Sequence, residues 1–394
     1  PLWSVGGSWN IYKEKFFQAD FVDMLKLRAS YGIGGNIGRN TAPYLIASYY
    51  DSSLVDGMAG SVNTPPNKDI RWEKTTTVNV GVDFALFRHR LSGTIEYYNK
   101  YSVDLLAAIN GSPTQGFGYT TLMTNNGKMV NRGVEITLSG EIIRQKDFSW
   151  NASLLYAFNR NKVKHISVQP SLWDSRISMP TSYPMVGKPL YGIYAYKWAG
   201  LNENGDPQVY DAENNVTSGP ARDYHALVYC GTTVPIHNAS LTNVLRYKGV
   251  EFSAMLILDA GHKLRSSNIP SINMSNGRIT STAKGIVDRW TQPGDVTDVP
   301  RLLFSNDTEN FNTHRTELYR YSDLFVYDAS NIRLSNISLA YRVPAHWCKK
   351  ISLSGARLQF NVENVATFAF DSKANYDLGG KVKPNYVWGL YLNF

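Results

Sequence analysis

The chain alternates between large apolar and small or polar residues. From Tyr386 to Phe394, Tyr386, Trp388, Leu390, Leu392 and Phe394 fall on one face of an extended chain; Gly389, Tyr391 and Asn393 fall on the other. Ala356, Leu358, Phe360 and Val362 alternate with Arg357, Gln359, Asn361 and Glu363. Val78, Val80, Val82, Phe84 and Leu86 alternate with Asn79, Gly81, Asp83 and Ala85, and Phe148, Trp150, Ala152, Leu154, Tyr156 and Phe158 share one face. Such one-sided segments are antiparallel strands, not the continuous apolar runs of a buried parallel sheet. The pattern predicts about eleven of them, near 3–12, 24–33, 76–87, 90–100, 132–143, 148–159, 236–247, 249–260, 331–343, 351–364 and 386–394. Each is close to the ~9–11 residues a tilted strand needs to cross a bilayer. One segment breaks parity: Ile332 and Leu334 face one way, Ile337, Leu339, Tyr341 and Val343 the other, and a bulge near Ser335-Asn336 restores a single face.

The connections alternate too. Phe87 to Arg90, Glu141 to Asp147, Tyr247 to Gly249 and Val343 to Lys350 are short; the segments 34–75, 101–131, 160–235, 261–330 and 365–385 between them are long. Compact soluble domains rarely carry structureless loops beyond ~12–15 residues. Outer-membrane barrels combine short periplasmic turns with long extracellular loops. Aromatics at the strand ends (Trp3, Trp9, Tyr97, Tyr98, Trp150, Tyr341, Trp388, Phe394) fit the girdles that flank a barrel's lipid-facing band. The fold class expected is all-β: part of an antiparallel transmembrane β-barrel with long extracellular loops. Soluble sandwiches, lectins and propellers share the alternation, but no fixed repeat favours a propeller.

Composition narrows this further. Phe, Trp and Tyr number 16, 9 and 25 among 394 residues, against 40 basic and 32 acidic ones. Aromatic content this high excludes a disordered chain. The mean hydropathy is nevertheless −0.29, as a watery lumen and large loops would make it. No apolar run approaches the ~20 residues of a membrane helix. The net charge of +8 is scattered, with no run of five basic residues, so nucleic acid is not the expected partner. Two cysteines, Cys230 and Cys348, form neither a disulfide framework nor a metal cluster.

No catalytic constellation emerges, and an enzyme is not expected. The seven histidines lack metal-ligand spacing, and no cofactor motif is present. Gly32-Ile-Gly-Gly-Asn-Ile-Gly38 follows an alternating strand and precedes no helical pattern, so a strand-ending turn is expected there rather than a phosphate loop. Asp295 and Asp298 lie in a Pro/Gly/Asp-rich loop, solvated or holding a cation. Candidate ligand contacts are the loop aromatics Trp173, Tyr194, Tyr196, Trp198, Phe117 and Tyr119, whose faces could stack on sugars or apolar peptide side chains, or pack the loops together.

An ordered set of stretches resembles SusC-like, TonB-dependent outer-membrane transporters: Leu25-Lys-Leu-Arg-Ala-Ser-Tyr-Gly-Ile-Gly-Gly-Asn36, Trp72-Glu73 with Thr76 to Phe84, and Gly93-Thr-Ile-Glu-Tyr-Tyr98. The series continues with Asn125 to Glu135, Phe148-Ser-Trp150 with Asn159-Arg-Asn-Lys-Val163, Gly200-Leu-Asn-Glu-Asn-Gly-Asp-Pro207, Asn331 to Tyr341, and Gly389-Leu-Tyr-Leu-Asn-Phe394. The resemblance implies a 22-stranded barrel with an N-terminal plug, importing oligosaccharides or peptides across the outer membrane. It also implies a SusD-like surface lipoprotein over the mouth and the TonB complex as energy source. No plug, TonB-contacting segment or signal peptide is recognised, so residues 1–394 are expected to be the C-terminal part of such a barrel. About eleven strands leave the sheet open, its edges waiting for the remainder. The alternative is a secreted or surface β-rich carbohydrate-binding module.

Overall fold

The computed structural model describes residues 2–38, 43–52, 57–110, 114, 121–168, 175–219, 223–274, 282–304, 313–350, 352–378 and 383–394. One antiparallel sheet of eleven strands dominates. Its strands are β1 (Trp3–Asn10), β2 (Val22–Asn36), β3 (Glu73–Leu86), β4 (Leu91–Asn110), β5 (Thr121–Arg144), β6 (Phe148–His165), β7 (His237–Tyr247), β8 (Val250–Ala260), β9 (Asn331–Arg342), β10 (Gly355–Ala369) and β11 (Asn385–Asn393). They pair strictly in chain order, and no pairing among the described residues joins β1 to β11, so the sheet is open. Every expected strand is present.

Register divides the sheet into two faces. Trp9, Leu27, Val82, Ile95, Ile136, Tyr156, Ala239, Leu258, Ile332 and Phe368 stand opposite one another in sequence across β1 to β10, a continuous apolar row. One residue along, the row reads Arg28, Gly81, Glu96, Glu135, Ala157, Asn238, Asp259 and Asn331. Because side chains alternate along a strand, the first row faces lipid and the second the lumen. The apolar face continues through Trp150, Leu245, Phe252, Leu339, Phe360 and Trp388, with the Phe360 and Trp388 rings 4.2 Å apart.

The bulge lies where parity requires it. Met255 pairs with Asn336 and Leu256 with Leu334, leaving Ser335 unmatched and returning Ile337 to the apolar face. Opposite, β10 accommodates it with Asn364 at φ 53°.

Three expectations need correction. The glycine-rich stretch after Tyr31 is not a strand-ending turn: β2 runs on to Asn36, paired against Glu73. Segment 101–131 is largely strand, because β4 and β5 stay paired out to Asn110 and Thr121. The strand expected from residue 351 begins at Gly355, after a short helix, Ala345–Lys349.

All the connections at one end are compact: 11–21, 87–90, 145–147, 248–249 and 343–354. The long segments leave from the other end and carry their own structure. It comprises a hairpin of Ile46–Ser52 with Gly57–Thr64, a ribbon of Gly192–Tyr196 with Leu227–Thr232, and a three-stranded sheet at Trp198–Leu201, Pro207–Tyr210 and Val216–Thr217. A helix, Thr313–Arg320, packs among them.

Candidate functional site

The structured loops of one rim form the candidate site. Gly192–Tyr196 is buried at every position, which explains its unbroken apolar reading between Ile193 and Tyr196. It pairs with Leu227–Thr232 through a bulge at Cys230, where Gly231 takes φ 141°, a value suited to glycine. Tyr194, Tyr196, Val209, Ala226, Leu227 and Leu318 make one core, and Ile272, Tyr319 and Phe325 a second; Trp198 packs against both.

Three charged residues tie separate loops together. Arg265 donates to the carbonyl oxygens of Tyr194 (2.6 Å), Arg320 and Ser322 (both 3.2 Å), and burial pulls its guanidinium below the usual arginine range. Arg315, 3% exposed, donates from Nε to Asp206 (3.0 Å), which also accepts two bonds from Arg301 (3.1 and 2.8 Å). Asp377 accepts from Ser266 Oγ and from the N–H and Oγ of Ser267 (2.8, 3.0 and 2.6 Å), fastening the last long loop to the layer. Removing one partner of such a buried pair leaves a charge without compensation. None of these ties was legible in the sequence, since each joins residues 55 to 111 positions apart.

The expected ligand-contact residues have different environments. Tyr194 and Tyr196 are each 1% exposed and shape the layer from within; the Tyr194 hydroxyl accepts the Met185 N–H at 3.2 Å. Trp198 is half-buried, its indole N–H donating to Asp298 at 2.9 Å. Trp173, Phe117 and Tyr119 lie outside the described residues. Exposed instead are Tyr44 and Tyr49, at 76% and 72%, beside and on the 46–64 hairpin, and Tyr191, just before the Gly192–Tyr196 strand. Asp295 caps its own loop, accepting from the N–H and Oγ of Thr291 and the N–H of Gln292. Burial pushes the Cys230 thiol up to about 11. Among the described residues no three His, Cys, Asp or Glu side chains gather as a metal site would.

The lumen face below is charged and internally paired. Arg28 reaches Asp83 at 2.8 Å and Glu96 at 2.6 Å; Arg333 reaches Asp259 at 2.8 Å; Glu251 accepts Arg246 at 2.7 Å and Arg357 at 3.2 Å. Tyr98 lies on this face where a side chain at Gly133 would project, which accounts for glycine there.

These features have close parallels. "TonB-dependent receptor P3" of Formosa agariphila is 26% identical over 97% of this chain, and "TonB-dependent receptor SusC" of Bacteroides thetaiotaomicron 25% over 92%. The chain spans only 39% and 36% of those relatives' lengths. The solved "RagAB peptide transporter" superposes with a TM-score of 0.78 at 24% identity, over 99% of this chain and 43% of that one, a likeness of fold. The model of the TonB dependent receptor-like β-barrel matches residues 1–365. The chain belongs to the family of TonB dependent receptor-like β-barrels.

Proposed function

We propose that residues 1–394 form the C-terminal part of the barrel of a SusC-like importer, which takes up glycans or peptides across the bacterial outer membrane. One observation carries this reading: an open sheet with a continuous apolar outer face and an ion-paired inner face, whose long connections fold into a structured layer at one rim. An open sheet cannot span a bilayer, because unpaired edge N–H and C=O groups would lie in hydrocarbon. β1 and β11 therefore pair with strands supplied by the rest of the protein, which also supplies the plug and the contact with TonB. A SusD-like lipoprotein covers the loop layer from outside.

Tyr194 and Tyr196 support the layer from within, and direct ligand contact falls to Trp198 and, outside the described residues, to Trp173, Phe117 and Tyr119. In this reading this half is a passive scaffold that carries loop-borne ligand contacts and no enzymatic step. The test is uptake of labelled oligosaccharide and oligopeptide pools by cells carrying or lacking the full-length gene. Uptake that requires the gene, and that stops when TonB is deleted, is the expected result. Uptake of every pool at the same rate in both strains would refute it.

A further inference from the structure

On the lumen face, the arginines Arg28, Arg246, Arg333 and Arg357 each meet a carboxylate. The outward face carries a contrasting cluster. Arg132 of β5 stands directly opposite Arg160 of β6, and Lys162, two residues on, also faces outward. All three are exposed, and among the described residues none forms an ion pair; Arg132 donates only to the Asn99 amide oxygen, at 3.1 Å. Like charges directly opposite on antiparallel strands repel, so the arrangement calls for an anion from elsewhere.

Its position indicates which anion. Outward residues of β6 are apolar from Trp150 to Phe158 and turn basic at Arg160; those of β5 are apolar from Leu138 to Val134 and turn basic at Arg132. The cluster therefore sits at the loop-side border of the apolar band. Beside it, β7 ends and residues 187–188 take its place along β6, with the Val163 N–H donating to the Lys188 carbonyl at 2.9 Å. A cleft of about 470 Å³ opens there, lined by Arg160, Lys188, Tyr229, Phe158 and His237. The Lys188 ammonium lies 4.8 Å from the centre of the Tyr229 ring, and Tyr156 O–H and His237 Nδ1 share a hydrogen bond of 2.8 Å below it.

We propose that Arg132, Arg160, Lys162 and Lys188 bind the phosphate groups of an anionic lipid in the outer leaflet. Guanidinium groups hold phosphate through paired N–H donors, lysine adds a point charge, and the aromatic floor accepts the sugar or acyl root of the headgroup. The inference rests on the membrane-spanning reading given above, but its readout is lipid binding, not uptake, so the two can fail separately.

The test uses the full-length receptor in detergent, mixed with bisphosphorylated lipid A or with the same lipid stripped of phosphate, bound lipid being counted by native mass spectrometry. Wild-type protein should retain the bisphosphorylated form about tenfold more strongly, as clustered basic residues at an anionic surface allow. The R132Q/R160Q/K162Q variant should lose that preference, and the lumenal R28Q variant should keep it. Equal retention of both lipids by the wild-type protein overturns the proposal whatever the variants do. So does an unchanged preference in the triple variant, or displacement of the lipid by millimolar inorganic phosphate, which would make free phosphate the ligand.

Discussion

The wall and the loop layer of this chain are built on opposite principles. In the wall, Trp388 is 78% exposed, Phe360 and its neighbours turn outward, and charges such as Arg28 and Asp83 turn inward. In the layer, Tyr194, Tyr196 and Leu318 are buried to 2% or less, and charge lies outside or is clamped, as in a soluble domain. The wall is held by its strand ladder and by lipid as apolar solvent; the layer is held by burial from water. One chain thus carries two cores of reversed polarity, and each should fail under its own kind of substitution.

The largest effect is expected in the layer. Leu318→Ala should cost ~2–5 kcal/mol of local stability. Limited proteolysis of the full-length protein should then cut within the loops, while the wall keeps its heat-resistant mobility on gels. Simultaneous loss of both would mean that the two regions are one cooperative unit. Next comes the wall: Phe360→Arg on the lipid face should destabilise by ~2–4 kcal/mol and Gln359→Arg on the lumen face by far less. Equal shifts in unfolding from lipid vesicles would reverse the assignment of faces.

The lumenal pairs should contribute less. A double-mutant cycle of Arg28→Gln with Asp83→Asn should give a coupling of about 1 kcal/mol that shrinks in high salt. A coupling that ignores salt would place the pair away from water. The last effect concerns Cys230 and is absent at neutral pH. Burial raises its thiol from 9.0 to about 11, so the folded state resists ionisation while the unfolded state does not. Its contribution to stability is therefore constant below pH 9 and falls as pH rises toward 11. Maleimide labelling of the native protein should stay slow at neutral pH and accelerate in that window; fast labelling at pH 7 would show an open layer.

The same division explains what the sequence could reveal. Wherever strands touch lipid on one side and water on the other, alternation marks them, and even the bulge at Ser335 was readable as a break in parity. Alternation vanishes where residues on both faces are polar or small: Thr124, Asn125, Asn126, Gly127 and Lys128 belong to β5 but read as loop. It also vanishes where both faces are dry, as in Gly192–Tyr196, whose partner strand begins some thirty residues later at Leu227. Arg28 finds Asp83 and Glu96 across 55 and 68 positions, a match created by register and by no local signal. Aromatics in loops are natural candidates for ligand contact, but nothing local in the sequence marks which of them the loops themselves cover.

The length of β5 has a consequence for what meets this protein first. Twenty-four residues at about 3.3 Å each run about 80 Å. At the tilt of a barrel strand they climb about 60 Å, against an apolar band about 25 Å tall. Paired with β4 nearly to its end, the ribbon stands clear of the membrane like a mast. A large particle approaching the cell, such as an antibody or a phage tail, would meet the upper part of that ribbon before it reached the lipid surface.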